Sequence, residues 1–303
     1  MSFISMAYHR NNTNLLLFLP FSSLSDYELE QEFQSTKNYY ISLMKENFFY
    51  NAIKENKFLN KMKGQKDTSC EYYDSEEFIA LNLNQHRFLN IFYLNISSLP
   101  KHAGELACFL CSLETTFDII VLNEISRCST SNVENLFSGF TFYVDFPLSN
   151  ARGGVGIYMS NRLGSIVRKT DFEYNKTCNC ATCETECVCL TFTCFDKSFN
   201  LLSVYRHPRG NKKHFIKDLG NSIAQLNNKS TTLLIGDTNI DLMKFDKNKD
   251  HNDYASMLFS NGFMPTITYP TRITPHSATL IDHIFIKSTQ KDTDYRSGIQ
   301  KYL

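Results

Sequence analysis

The chain has 303 residues with 31 basic and 31 acidic side chains, so its formal net charge is zero. Apolar residues make up 42% and charged residues 20%, which speaks against wholesale disorder and suits one large or two modest domains. Neutrality also speaks against a dedicated, strongly basic nucleic-acid binder, so any anionic partner must be met by local patches.

Taken in chain order, Leu15-Leu-Leu-Phe-Leu-Pro-Phe21 is apolar but too short to span a bilayer. It lacks the basic start and small-residue cleavage site of a secretory signal. A soluble, monomeric, intracellular protein (nuclear or cytoplasmic, not secreted) with no membrane partner is therefore expected, its ten cysteines free rather than bridged. Residues 1–86 read as an N-terminal extension, partly helical or disordered. Ser25-Asp-Tyr-Glu-Leu-Glu30 resembles a helix start with acidic residues in its first turn, within a span from Leu24 to Lys63. Gly64 to Ser69 reads as a polar linker.

From Phe88 strands and helices alternate. Leu89–Leu94 is a strand, Ala103–Leu113 an amphipathic helix with Leu106, Phe109, Leu110 and Leu113 on one stripe, and Phe117–Leu122 an apolar strand. Phe140–Phe146 and Gly153–Met159 follow as strands. Cys187–Phe195 is expected to turn Val188, Leu190 and Phe192 inward and Cys187 and Cys189 outward, with Phe199–Tyr205 as its hairpin partner. Phe215–Leu226 is a helix, Thr232–Ile235 a strand, Ala255–Phe259 a turn or two of helix, and Thr279–Ile286 the last strand. So many strands with so few helices predict an α/β protein with two packed mixed sheets flanked by helices.

Several of these strands run into polar residues. Leu233-Leu-Ile-Gly-Asp-Thr-Asn-Ile-Asp241 stops abruptly, and Asp237 and Asn239 lie two residues apart, which in extended chain puts them on one side. Asn95, Asn123-Glu124, Tyr205-Arg206-His207-Pro208 and Asp282-His283 occupy comparable positions. Each alone fits a turn or cap. Together they suit a hard, oxygen-liking cation such as Mg²⁺, with Glu124 as the leading ligand and Asn95 in support. Asp237 and Asn239 are suited to hold a water, Tyr205 to donate to a phosphate oxygen, and Asp282 to orient an acid–base group.

The ordered set Leu94-Asn-Ile-Ser-Ser-Leu99, Ile119-Ile-Val-Leu-Asn-Glu124, Gly153-Gly-Val-Gly-Ile-Tyr158, Val204-Tyr-Arg-His-Pro208, Gly236-Asp-Thr-Asn-Ile-Asp241, Tyr269-Pro-Thr-Arg-Ile273 and Leu280-Ile-Asp-His-Ile284 resembles the endonuclease/exonuclease/phosphatase domain of LINE-type, jockey-like non-LTR retrotransposons. The resemblance covers about residues 87–290. It implies a DNase I-like, four-layered α/β sandwich and a Mg²⁺-dependent hydrolase (Mn²⁺ as a substitute) that nicks duplex DNA. By the same resemblance Asn95 and Glu124 belong to the metal site, Tyr205 contacts the scissile phosphate, and Asp237 with Asn239 handles the attacking water. Thr271, with Arg272 beside it, lies near bound DNA, and Asp282 pairs with a catalytic histidine. That histidine belongs to a final Ser-Asp-His strand in the family, and the sequence stops at Leu303 before such a segment. A domain at 87–303 lacking its last strand, C-terminally truncated and weakened or inactive, is the expectation; loss of such a group costs about 10²–10⁴-fold. His283 is not its equivalent, since alternation turns it away from Asp282.

Arg206 to Lys217 is a basic stretch beside Tyr205, and Arg206 is expected to bind substrate. Cys178-x-Cys180-x₂-Cys183-x₃-Cys187-x-Cys189 does not follow the paired C-x₂-C spacing of zinc modules, so an oxidation-prone hairpin loop is expected there rather than zinc. Besides the nuclease, two readings stay open: a catalytically dead remnant that binds nucleic acid, and a small-molecule or lipid phosphoesterase.

Overall fold

Aliphatic runs that are covered on both faces build two mixed sheets, and amphipathic helices close their outer sides. A computed structural model describes residues 2–8, 70–73, 75–81, 83, 88–127, 133–147, 153–164, 166–169, 185–226, 229–274, 277–288 and 294–300. In chain order the elements are β1 (Ser2–Tyr8), β2 (Cys70–Tyr73), α1 (Ser75–Ala80), β3 (Phe88–Asn95), α2 (Leu99–Ser112), β4 (Ile119–Asn123), β5 (Phe140–Asp145) and β6 (Val155–Ser160). They continue with β7 (Ile166–Lys169), β8 (Thr185–Cys194), β9 (Lys197–Arg206), α3 (Lys212–Ala224), β10 (Thr231–Asp237), α4 (Lys249–Ser260), β11 (Met264–Pro265), β12 (Arg272–Thr274), β13 (Ser277–Thr279), β14 (Asp282–Lys287) and β15 (Asp294–Gln300).

The first sheet has the order β2-β15-β1-β3-β4-β6-β5 and the second β11-β14-β10-β9-β8-β7, while β12 and β13 form a separate hairpin. Two segments from the expected N-terminal extension, Ser2–Tyr8 and Cys70–Tyr73, are strands of the first sheet. The helix expected between Leu24 and Lys63, the Gly64–Ser69 linker and Cys178, Cys180 and Cys183 lie outside the described residues.

Alternation divides the first sheet. Leu89, Ile91 and Tyr93 of β3 face the second sheet together with Ile119 and Val121 of β4. Phe92, Leu94, Ile120 and Leu122 point the other way, onto Leu106, Phe109 and Leu110 of α2 and Phe78 of α1. Phe215, Leu219 and Ile223 of α3 and Tyr254 and Leu258 of α4 cover the far side of the second sheet. The result is four layers: helices, sheet, sheet, helices.

Three expectations shift. Cys187 and Cys189 are not turned to solvent: Cys189 is buried, Cys187 packs against the same core, and both faces of β8 are covered in this part of the sheet. The helix expected as a turn or two at Ala255–Phe259 runs the whole of Lys249–Ser260. Its polar first turns hid it, although Asn248 caps it by accepting from the amides of Asp250 and His251. The strand expected over Thr279–Ile286 splits into β13 and β14, where the amides of Leu280 and Ile281 bond to the side chains of Asp241 and Thr271 instead of a neighbouring strand, and it is not the last, since β15 follows it in the first sheet.

One glycine is fixed by close approach. A Cβ on Gly236 would stand 1.8 Å from the carbonyl oxygen of Val204 in the adjacent strand. Because that contact is backbone, no rotamer relieves it. Gly236→Ala should therefore lower the midpoint of thermal unfolding by about 6 °C or more, a cost of roughly 3 kcal/mol. Gly104→Ala, on open helix surface, should raise it by about 1–3 °C; differential scanning calorimetry on the two variants checks both signs.

Candidate active site

Topology brings the polar strand ends together. β3 and β4 run parallel and end in register at Asn95 and Asn123. β9 and β10 also run parallel, placing Asp237 beside Tyr205, and antiparallel β14 starts with Asp282 opposite Asp237. The C-terminal ends of four strands and the start of a fifth thus share one end of the sandwich, the usual place for a ligand site in layered α/β proteins.

Asn95 holds the centre. Its Oδ1 accepts from the amide of Ser97 at 3.2 Å, a local turn in which Ser97 has a φ of 62°. This fixes the carboxamide so that Nδ2 projects outward. Nδ2 donates to Glu124 Oε1 and to Asp237 Oδ2, both at 2.9 Å. Glu124 reaches it because its own backbone leaves β4 in the left-handed region, at a φ of 52°. The second oxygen of Asp237 accepts from the amide of Asn239 at 2.8 Å, and Asn239 likewise has a positive φ, of 50°.

Behind these side chains lies a buried layer. Asn123, which is fully buried, accepts the amide of Asp237 on its Oδ1 at 2.7 Å. The Tyr93 hydroxyl lies 3.0 Å from that same oxygen and 2.8 Å from Asp282 Oδ1, linking the two sheets through the core. Thr271 is buried and accepts the amide of Asp282 on its hydroxyl at 3.2 Å. His283, on the opposite face of β14, is turned to the helices as alternation requires. Its Nε2 donates to the carbonyl of Leu280, and Nδ1 meets the hydroxyls of Thr238 and Tyr254. Burial holds this imidazole neutral, with its pKa pushed down to about 4.

The electrostatics are those of crowded anions. Asp237 is pushed well above the ordinary carboxylate range, first by burial and then by the neighbouring charges of Asp282 and Glu124; the bonds from Asn239 and Asn95 offset only part of this. Tyr205 is hydrogen-bonded to Glu124, and its hydroxyl is raised far above the usual phenol value by burial and then by Glu124, Asp237 and Glu186. Burial and Asp282 raise Tyr93 in the same way.

Of the residues singled out in the sequence, Asn95, Glu124, Tyr205, Asp237, Asn239 and Asp282 come together here. Thr271 is buried as a support for Asp282, while Arg272 lies half-buried in the β12–β13 hairpin. Arg206 departs from the expectation of a substrate contact: it is 1% exposed, and its guanidinium is directed at backbone carbonyls. Tyr93 and Glu186 were missed, and Asn123 was noted at a strand end without a role of its own. Glu186 is buried in β8 and its carboxylate packs against Gly153. The signal for Tyr93 was available, since a tyrosine on the core face of a strand needs a partner for its hydroxyl.

Comparison of the whole fold with solved structures returns DNase I-like domains of the endonuclease/exonuclease/phosphatase class. The endonuclease domain of TRAS1, a telomere-specific non-LTR retrotransposon, aligns with a TM-score of 0.51 at 12% identity, covering 65% of this chain and 84% of that one. An endonuclease/exonuclease/phosphatase family protein from Leptotrichia buccalis C-1013-b aligns at 0.49 with 13% identity, over 67% and 89% of the two chains. An AP endonuclease from Archaeoglobus fulgidus aligns at 0.46 with 16% identity, over 65% and 86%. The TRAS1 alignment carries the fold assignment: a DNase I-like, four-layered α/β sandwich. No protein-family model matches the sequence, and no curated protein matches it.

The buried layer can be tested without an activity assay. Tyr93→Phe removes the hydroxyl that links Asn123 to Asp282 and should cost about 1–3 kcal/mol, read as a lower urea midpoint at unchanged slope. The Asp237 shift has a definite sign. Its folded pKa lies above the unfolded value, so its contribution to stability is fully present below about pH 4 and is lost as pH rises through the folded pKa. In metal-free buffer, the unfolding midpoint of wild type relative to Asp237→Asn should fall as pH rises from about 4 towards 8; a constant difference would show that Asp237 titrates normally.

Proposed function

We propose that this chain is a Mg²⁺-dependent phosphodiesterase that nicks duplex DNA, its catalytic domain built from residue 87 onward together with the strands Ser2–Tyr8 and Cys70–Tyr73 of the first sheet. The observation that carries the reading is the single carboxamide of Asn95 shared between Glu124 and Asp237 at the meeting of two sheets. The sequence resemblance to LINE-type, jockey-like endonucleases and the fold likeness to the TRAS1 domain support DNA as the substrate.

Among the described residues no group of three His, Cys, Asp or Glu side chains forms a ready-made metal cage. What is present fits Mg²⁺, or Mn²⁺ in its place, because that ion commonly binds one or two carboxylates and takes its other ligands from water and substrate phosphate. Glu124 would supply the hard carboxylate oxygen, Asn95 holds it in place, and burial with the neighbouring carboxylates raises the proton affinity of Asp237 beside it. A cation there would supply positive charge to the phosphate oxygens during attack.

The protein groups divide the remaining work. Asp237 takes the proton of the attacking water as its general base. Asn239, whose Nδ2 is committed to the Arg206 carbonyl, has its Oδ1 left to accept from that water. Tyr205, held protonated by burial and by the anions around it, donates to a phosphate oxygen. Asp282, seated by Thr271 and Tyr93, fixes the rear of the site. Arg272 on its hairpin contacts the DNA backbone.

Nicking of supercoiled plasmid should require Mg²⁺, stop with EDTA, and fall about 10²-fold or more in Glu124→Gln and in Asp237→Asn. Mg²⁺ should also raise the unfolding midpoint, more at pH 8 than at pH 6, because the cation competes with protons for these carboxylates. Salt-sensitive DNA binding without nicking would instead identify a binding remnant. Turnover of a soluble phosphate ester without action on DNA would identify a small-molecule phosphoesterase.

A further inference from the structure

We infer that Arg206 is a positioning residue that clamps the Asp237–Asn239 turn from behind, rather than a contact for the nucleic acid. The inference rests on the nuclease reading, but its geometry stands independently.

Arginine beside a phosphate-binding tyrosine in a basic stretch would ordinarily be assigned to the substrate backbone. The side chain is instead buried among carbonyls. Nε donates to the Thr238 carbonyl at 2.6 Å and Nη2 to the Asn239 carbonyl at 3.0 Å. Nη1 donates to the carbonyls of His207 at 2.9 Å and Gly210 at 2.8 Å. Four carbonyls therefore take four of the five N–H donors of the group. The guanidinium carbon lies 6.0 Å from the centre of the Phe215 ring, which covers the group from α3.

The bonding is reciprocal. Asn239 Nδ2 donates back to the Arg206 carbonyl at 2.9 Å, so side chain and backbone of each residue hold the other. Arg206 thus ties three pieces together: the end of β9, the His207–Gly210 turn that follows it, and the residues leaving β10. Those last residues need such support, because Asn239 adopts a positive φ that a non-glycine side chain disfavours. The second wall of the turn is the Thr238 hydroxyl on His283 Nδ1, itself braced by Tyr254. Between the two walls, Asp237 receives the Asn239 amide on Oδ1 and presents Oδ2 to Asn95. A planar fork with donors along two edges suits this task; an ammonium, with three donors around one point, cannot reach carbonyls on both sides of the turn.

A phosphate contact and a clamp predict different losses. Arg206→Lys keeps the charge, so a phosphate contact would survive largely intact, whereas the fork would be lost. The clamp predicts a kcat lower by roughly 10–100-fold in Arg206→Lys, because the base and its water are displaced by a fraction of an ångström, with KM within about 2-fold. In Arg206→Ala the slope of log affinity against log salt should match wild type. A slope shallower by about 0.9 in Arg206→Ala would mean one lost phosphate contact and would overturn the proposal. So would an unchanged kcat in Arg206→Lys. Nuclear magnetic resonance of the Nε–H groups in the unsubstituted protein is independent of both activity and variant folding. The Arg206 Nε–H should exchange with solvent at least about 100-fold more slowly than that of exposed Arg209. If wild type shows this protection but does not nick DNA, the nuclease reading fails and the clamp stands; equal exchange at the two arginines refutes the clamp whatever the activity.

Discussion

Everything at this end of the molecule follows from placing Glu124, Asp237 and Asp282 together where two sheets meet. Like charges so placed repel, and burial magnifies the repulsion because little water remains to screen it. The protein answers with neutral donors: the carboxamide of Asn95, the amide of Asn239 and the hydroxyls of Tyr93 and Tyr205. Neutral donors stabilise an anion without cancelling its charge. The site is therefore held together without its charge being cancelled.

The sandwich makes such crowding reproducible. Parallel strands in register end together, so a residue at one end has a fixed neighbour at the next: Asn95 by Asn123, Asp237 by Tyr205. The two sheets contribute from opposite sides, and Tyr93 spans the core to reach Asp282. Gly236 belongs to the same design. Bringing β10 against Val204 leaves no space for a side chain, and the residue that follows is the carboxylate. Close approach of backbone and position of the functional group are one constraint.

Much of this was legible in the sequence because the signals are periodic and local. Unbroken aliphatic runs such as Ile119–Leu122 and Leu233–Ile235 mark strands covered on both faces, and the polar residues that end them are conspicuous there. The layering followed from the same runs. Less legible were features set by distant partners. α4 begins with Lys249-Asp-His-Asn-Asp253, a polar start whose helical character depends on the Asn248 cap and on the later packing of Tyr254 and Leu258. β13 and β14 separate where Asp241, 39 residues away, and Thr271 bond the amides between them. Tyr93 looked like one more core residue, and Asn123 like a polar strand end, until the carboxylate of Asp282 and the amide of Asp237 were placed beside them.

Arg206 shows why residue type is a poor guide to role at such a site. Its place after Tyr205 and before a run of basic residues suggests a hand extended to phosphate, and charge alone would leave it there. Burial decides otherwise. A guanidinium removed from water keeps its charge only where donors find acceptors, and burial already lowers its pKa from the exposed value. The acceptors here are the carbonyls of the turn that carries Asp237 and Asn239. The hydrogen bonds of this buried positive charge are thus directed at backbone dipoles, while its charge still acts on Asp237 through space.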